Sequence, residues 1–390
     1  MPLIRGPVRG FVFAGLSALL ACSSAPDVIA QAAPTPPPAG PAAPPRVPPP
    51  VRSPEAPGAP KFVVIAQPGT NPPADRDGDF IIGPPYLRPR ELDVTSDIAQ
   101  GRVEQFTLAS TDSKFFPGIA RNAQGTVDPD NPRTLRVEVR PQPYQRAITV
   151  YIPAGVRPGQ TLAFMVVHDG PSLGQQDQTL PHVLDNLIAQ KRVPVMAAVL
   201  MQNGGSDAQG SQRGLEYDTV SGKFAEYIEA EVLPAVEKRY AIRLTRDPEK
   251  RAVMGCSSGA AAAFTMAWFH PEWYHRVISY SGTFVNQQWP FNPAHPGGAW
   301  DYHAQIIANS PVKPIRIWMH VGDTDLLNPN PMRDDMHDWV AANHAMARVL
   351  AAKGYHHQYV FARESGHCEA QVRQQTLPEA LEYVWRGASP

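Results

Sequence analysis

Residues 251–263 read Arg251-Ala252-Val253-Met254-Gly255-Cys256-Ser257-Ser258-Gly259-Ala260-Ala261-Ala262-Ala263. Arg251–Met254 suits a buried strand, and the alanine-rich text beyond Gly259 reads as a helix ending at Pro271. Gly255-Cys256-Ser257-Ser258-Gly259 falls at the turn between them. A G-x-S-x-G string alone is common, but strand, sharp turn and helix in that order make it informative. The glycines permit a strained turn and close helix-on-strand packing, so that the Ser257 hydroxyl stands above the sheet as a candidate nucleophile.

On both sides the same alternation continues. Short apolar runs at Leu162–Val167, Val193–Leu200, Val277–Tyr280, Ile315–Val321 and Gln358–Phe361 suit strands buried on both faces of a parallel sheet. Within Ser221–Tyr240, Phe224, Ile228, Val232 and Val236 recur every fourth residue as one apolar helix face, which Pro234 should bend or restart. A further helix, roughly 339–353, stops at Gly354. Residues 146–390 are therefore expected to fold as an α/β three-layer sandwich with a mostly parallel sheet. Residues 61–145 read as an irregular extension with short strands at Phe80–Ile82 and Val103–Leu108; another strand, Ala147–Ile152, follows. Asp75-Arg76-Asp77-Gly78-Asp79 lacks the glycine and glutamate that a calcium-binding EF-hand loop needs and reads as a turn, so no metal is expected.

A serine needs a histidine to take its proton, and the histidine needs a carboxylate to hold its tautomer. Downstream of Ser257, the strand Ile315–Val321 ends in Gly322-Asp323-Thr324-Asp325-Leu326, and the last strand ends in Glu364-Ser365-Gly366-His367-Cys368. Both turns fall at C-terminal strand ends, where the crevices of such sheets lie. His367 is the expected base and Asp325 the expected acid, with Asp323 turned away. An oxyanion would need two backbone N–H donors. Ser258 supplies one, and the turn His168-Asp169-Gly170-Pro171-Ser172 supplies the other from Gly170 or Ser172, because Pro171 has no N–H.

These residues carry a resemblance. From about 103 to 385 the chain resembles the esterase group of α/β-hydrolases that includes enterochelin esterases and carbohydrate feruloyl and acetyl esterases. The matching text is Val167-His168-Asp169-Gly170, Arg213-Gly214-Leu215-Glu216-Tyr217, the serine turn, His275–Gly282, Gly322–Leu326 and Ser365-Gly366-His367. The resemblance implies an α/β-hydrolase fold, ester hydrolysis without a cofactor, and a place for Arg213 and Glu216 near the cleft. Cys256 beside the nucleophile and Cys368 beside the base are similar to the Cys-Ser…Asp…His-Cys arrangement of tannases. If Ser257 and His367 come within reach of each other, these neighbours are candidates for a disulfide. Only 67 residues lie between Ser257 and Asp325, which excludes a large lid there. The segment Thr283–Pro311 is still long, and its Trp289 and Trp300 could wall a phenolic acyl group.

The charge balance, 35 Lys+Arg against 36 Asp+Glu, leaves no electrostatic footprint for nucleic acid. Sixteen of the 44 prolines lie in the first 60 residues. Arg5 and Arg9 precede the apolar stretch Phe11–Ala21, as in an export signal, and Leu19-Leu20-Ala21-Cys22 resembles a lipobox that would lipidate Cys22. Residues 22–60 read as a disordered Pro/Ala-rich tether. The expected protein is an exported, periplasmic or outer-membrane-anchored (or secreted) serine esterase. Its partner would be a phenolic, carbohydrate or siderophore ester. An acyltransferase of the same fold, or a catalytically silent tethered binding protein, is the alternative.

Overall fold

The computed structural model describes residues 49–170, 179–205, 208–327 and 334–388. The export segment 1–21, Cys22, most of the tether and Ser172 lie outside them. Ten strands make one continuous mixed sheet. In chain order they are β1 (Val63–Val64), β2 (Gly78–Ile82), β3 (Arg102–Ala109), β4 (Gln145–Ile152), β5 (Thr161–His168), β6 (Met196–Met201), β7 (Arg251–Cys256), β8 (Arg276–Tyr280), β9 (Arg316–Gly322) and β10 (His356–Ala362). Across the sheet the order is β1-β2-β10-β9-β8-β7-β5-β6-β4-β3, and a two-residue strand, Arg243–Leu244, pairs with the start of β5. Every pairing from β1 to β6 is parallel; β4 runs antiparallel to β6 and β3 antiparallel to β4.

Alternate residues of each central strand enter two separate cores. Phe164 and Val166 of β5 face the helical layer that contains Phe224, Ile228, Phe264 and Met346. Met165 and Val167 face Leu180, Leu184, Val372 and Leu381 on the other side. Burial on both faces is why these strands read as unbroken apolar runs. The named helices are α1 (Thr179–Ala189), α2 (Gln212–Tyr217), α3 (Ser258–Phe269), α4 (Trp339–Ala352) and α5 (Ala370–Trp385). The long helical run after α2 is α-helical over Lys223–Tyr227, π-helical over Ile228–Val232 and α-helical again over Leu233–Tyr240. Pro234 is the second residue of the last piece, directly after the π-helical turn, so the run restarts around it. β6 begins at Met196 rather than Val193, since Pro194 cannot donate to the ladder.

Residues 61–145 do not form a body of their own. β1 and β2 extend one edge of the sheet and β3 the other. The turn before β2 is held by Asp77, whose carboxylate accepts from Tyr383 Oη at 2.8 Å and Arg386 Nη2 at 3.1 Å. The end of the expected tether also lies on the body. Arg52 donates its backbone N–H to Asp323 O at 2.8 Å and its guanidinium to Asp338 at 2.7 Å.

Glu216 is not at the cleft. It lies under β4, where Arg146 Nη1 donates to its Oε2 at 3.0 Å and Tyr144 Oη and Gln212 Nε2 donate to its Oε1 at 2.8 and 2.7 Å. The two charged side chains are 1% and 0% exposed. A guanidinium this deeply buried requires a carboxylate, and Glu216 is committed to it. Glu216→Gln should therefore lower the unfolding free energy by roughly 3–5 kcal/mol, the usual cost of leaving a buried charge unpaired. Urea unfolding would measure it, and a loss below about 1 kcal/mol would contradict the assignment.

Candidate active site

The chain leaves β5 toward β6 on one side of the sheet, then returns to build β7 to β10 on the other side of β5. The crevice at this reversal, above the C-terminal ends of β5 and β7, is where open α/β sheets bind ligands. It holds a cavity of about 370 Å³. Its walls are Val167, His168 and Asp169 from the end of β5, and Met254, Gly255, Cys256 and Ser257 from the end of β7. His367 and Cys368, Tyr280, Arg213, and the first two turns of α5 complete it.

Ser257 sits at the turn with φ 58° and ψ −131°. Its N–H donates to Tyr280 O at 2.9 Å, and its C=O accepts from Ala260 and Thr283 at 3.0 and 3.1 Å. Both flanking glycines are required by contact. A Cβ on Gly255 would stand 2.3 Å from the Gly259 carbonyl, and one on Gly259 would stand 3.0 Å from His168 Cβ. Ser257 Oγ lies 3.3 Å from Thr283 Oγ1, which also accepts from Trp339 Nε1 at 3.1 Å.

His367 Nδ1 meets Asp325 Oδ1 at 2.6 Å. Burial opposes the charge on Asp325, but the bond to His367 and its positive charge, the Ser281 hydroxyl and the Leu326 N–H hold the carboxyl below its ordinary value. An ionised Asp325 accepts, so Nδ1 carries the proton and Nε2 is left as the acceptor. Asp323 points elsewhere, accepting from the backbone N–H of Glu364 and Ser365 at 2.9 and 3.1 Å. Cys256 and Cys368 are joined as a disulfide with Cα atoms 6.2 Å apart.

Ser258 and Arg213 lie where expected; Gly170, Trp289 and Trp300 do not. Ser258 opens α3, where its N–H has no partner inside the helix. The Gly170 N–H is spent on Met201 O at 3.1 Å, so Gly170 does not supply the second oxyanion donor. Gly170 answers a packing need instead: a Cβ there would stand 2.6 Å from Leu200 Cβ. Arg213 does line the cavity, paired to Asp169 at 3.0 Å. Trp289 and Trp300 are not among the lining residues. Trp300 turns toward the core and meets the His303 ring at 4.5 Å. Thr283 and Trp339 were missed. Thr283 follows the quoted His275–Gly282 text by one residue, whereas nothing in the sequence singles out Trp339.

The family profile described as "Putative esterase" matches residues 143–384, well over half the chain. The chain belongs to that esterase family. Membership makes it a carboxylic ester hydrolase of the α/β class. Among solved structures, this esterase is similar to a ferulic acid esterase at 16% identity and TM-score 0.50, covering 74% of this chain and 98% of that one. It is also similar to the CE1 ferulic acid esterase of the anaerobic fungus Anaeromyces mucronatus, at 14% identity and TM-score 0.50, covering 76% and 96%. A third similar structure is the enterobactin esterase of Shigella flexneri, at 20% identity and TM-score 0.46. There the match covers 62% of this esterase and spans only 55% of the Shigella chain. No curated protein sequence matches.

Asp218, just past α2, is 3% exposed. Burial pushes its carboxyl up to about 7, against the pull of the Arg213 charge and the Ser258 hydroxyl, with Asp169 adding to the rise. An acid whose value is raised on folding costs nothing at low pH and costs most above its folded value, where the native state must hold a buried anion. Asp218→Asn should thus raise the melting temperature over that of the parent more at about pH 8.5 than at about pH 5. Thermal unfolding at the two values checks this, and an equal or reversed difference would refute it.

Proposed function

We propose that this esterase works through an acyl-enzyme on Ser257. The observation that supports it best is the 2.6 Å bond from His367 to Asp325, with His367 and the turn serine lining one cavity. In this reading the Ser257 hydroxyl turns from Thr283 toward His367 Nε2. His367 takes the proton as Ser257 Oγ attacks the ester carbonyl, and Asp325 stabilises the imidazolium that results. The Ser258 N–H donates to the oxyanion. Collapse expels the alcohol with the proton from His367, and water then repeats the sequence to release the acid.

The substrate class proposed is a phenolic, carbohydrate or siderophore ester. The largely apolar cavity, with Tyr280, Met254 and Leu377 in its walls, suits an acyl or alcohol group of the size of one aromatic ring. The solved structures named above, of ferulic acid and enterobactin esterases, lie in the same class. Ser257→Ala should reduce hydrolysis of a short p-nitrophenyl ester by several orders of magnitude, because nucleophile and base act as a unit. It should also abolish covalent labelling by a fluorophosphonate. Undiminished turnover in the variant would reject the role.

We also propose export, with lipidation at Cys22, on the basic, apolar and small-residue pattern of residues 1–22. Intact-mass analysis of protein expressed in a bacterial host should find the chain beginning at an acylated Cys22. A mature chain that retains Met1–Ala21 would overturn it.

A further inference from the structure

We propose that Arg373 makes the cavity selective for esters that carry a carboxylate. This deepens the esterase reading and rests on it. α5 starts three residues past His367, and Ala370, Arg373, Gln374 and Leu377 present one helix face to the cavity. Arg373 Nε donates to Cys368 O at 3.2 Å, which anchors the side chain beside the turn that carries the base. The other charges in the walls are already matched. Asp169 pairs with Arg213, and Asp325 beneath the cavity pairs with His367. Among the described residues no carboxylate forms an ion pair with Arg373, although Glu369 lies four positions before it. With His367 neutral while it serves as base, the described residues of the walls therefore carry one positive charge with no carboxylate paired to it.

That charge is set in poor solvent. Val167, Met254, Tyr280 and Leu377 give the cavity apolar walls beside its polar groups, and a guanidinium in such a partly enclosed cavity gains more from an anion than it would in water. Its remaining N–H groups match a carboxylate in the planar, two-point manner that a lysine does not reproduce. The first turn of α5 adds to the same field, since Glu369 before it makes no side-chain cap to the helix N–H groups. A carboxylate could reach Arg373 from the acyl part or from the alcohol part of an ester. Both offer the same chemistry, and a hemi-ester of a dicarboxylic acid and the ester of a carboxyl-bearing phenol represent them.

The full chain is assayed on two matched pairs, each rate taken after subtraction of the uncatalysed rate. For the acyl side the pair is p-nitrophenyl hemisuccinate and its methyl ester; for the alcohol side it is 4-acetoxybenzoate and its methyl ester. In at least one pair kcat/KM should favour the anion about tenfold, roughly what one charge-assisted bond supplies. Arg373→Met should remove that preference, chiefly through KM, and Arg373→Lys should restore part of it. Each variant is judged by a ratio within one preparation, so loss of folded protein does not imitate the effect. Preference for the neutral ester in both pairs, or an unchanged ratio in Arg373→Met, overturns the assignment while turnover of the neutral esters leaves the esterase reading standing. No turnover of any of the four, with no fluorophosphonate labelling, takes down that reading and this one together.

Discussion

The contact between Gly255 and Gly259 is what the catalytic face depends on. With a Cβ at Gly255 only 2.3 Å from Gly259, no other residue lets α3 lie this close across the end of β7. The helix continues with Ala260–Ala263, all buried, so the close approach is kept for a full turn. The turn that results forces Ser257 to a positive φ, a conformation that costs a non-glycine residue on the order of 1–3 kcal/mol. Backbone bonds at both its N–H and its C=O hold it there. The position of Ser257 is therefore set by main-chain packing, and its hydroxyl is held separately, by Thr283.

The turns that carry Asp325 and His367 are fixed by a second close approach. A Cβ on Gly322 would stand 2.1 Å from Ser365 O, so the end of β9 touches the turn that carries His367. Asp323 caps two N–H groups of that turn, and Thr324 reaches Ser365 O with both its N–H and its hydroxyl at 3.0 and 2.9 Å. The Cys256–Cys368 bond then ties this assembly to the serine turn, and the Cys368 N–H donates to Ser281 Oγ at 3.0 Å. Asp323 and Asp325, one residue apart, thus do different work: one holds the turn and the other holds the imidazole.

Much of this was legible because it is local. A strand buried on both faces writes an apolar run, and a glycine needed for backbone contact writes itself at a fixed offset from the serine. Asp325 over Asp323 followed from strand-end geometry. What failed depended on contacts between distant segments. Glu216 was drawn away by Arg146, seventy residues earlier, whose burial no local pattern announces. The Gly170 N–H was taken by Met201 on the neighbouring strand. Trp300 joined the core because an aromatic residue in a long loop carries no sign of which way it will turn. β1 is only two exposed valines and β3 holds no fully buried residue, so their union with the main sheet could be seen only in the fold.

Thr283 and Trp339 show how residues outside the Asp325–His367 pair bear on Ser257. Thr283 Oγ1 accepts from Trp339 Nε1, and Ser257 is its other partner. With one lone pair taken, Thr283 can pass its own proton on to Ser257 Oγ. Ser257 then accepts, and its own proton stays available for His367 Nε2 in the proposed mechanism. The same indole stands edge-on to the His367 ring, with centroids 6.0 Å apart and planes at 85°, so one side chain touches both His367 and the partner of Ser257. Trp339 is 2% exposed and begins α4, whose first turn is capped by Asp338, the residue that Arg52 grips from the far end of the chain. The tautomer of His367 is set by Asp325, and the Ser257 hydroxyl is met from the opposite side by Thr283, itself held by Trp339.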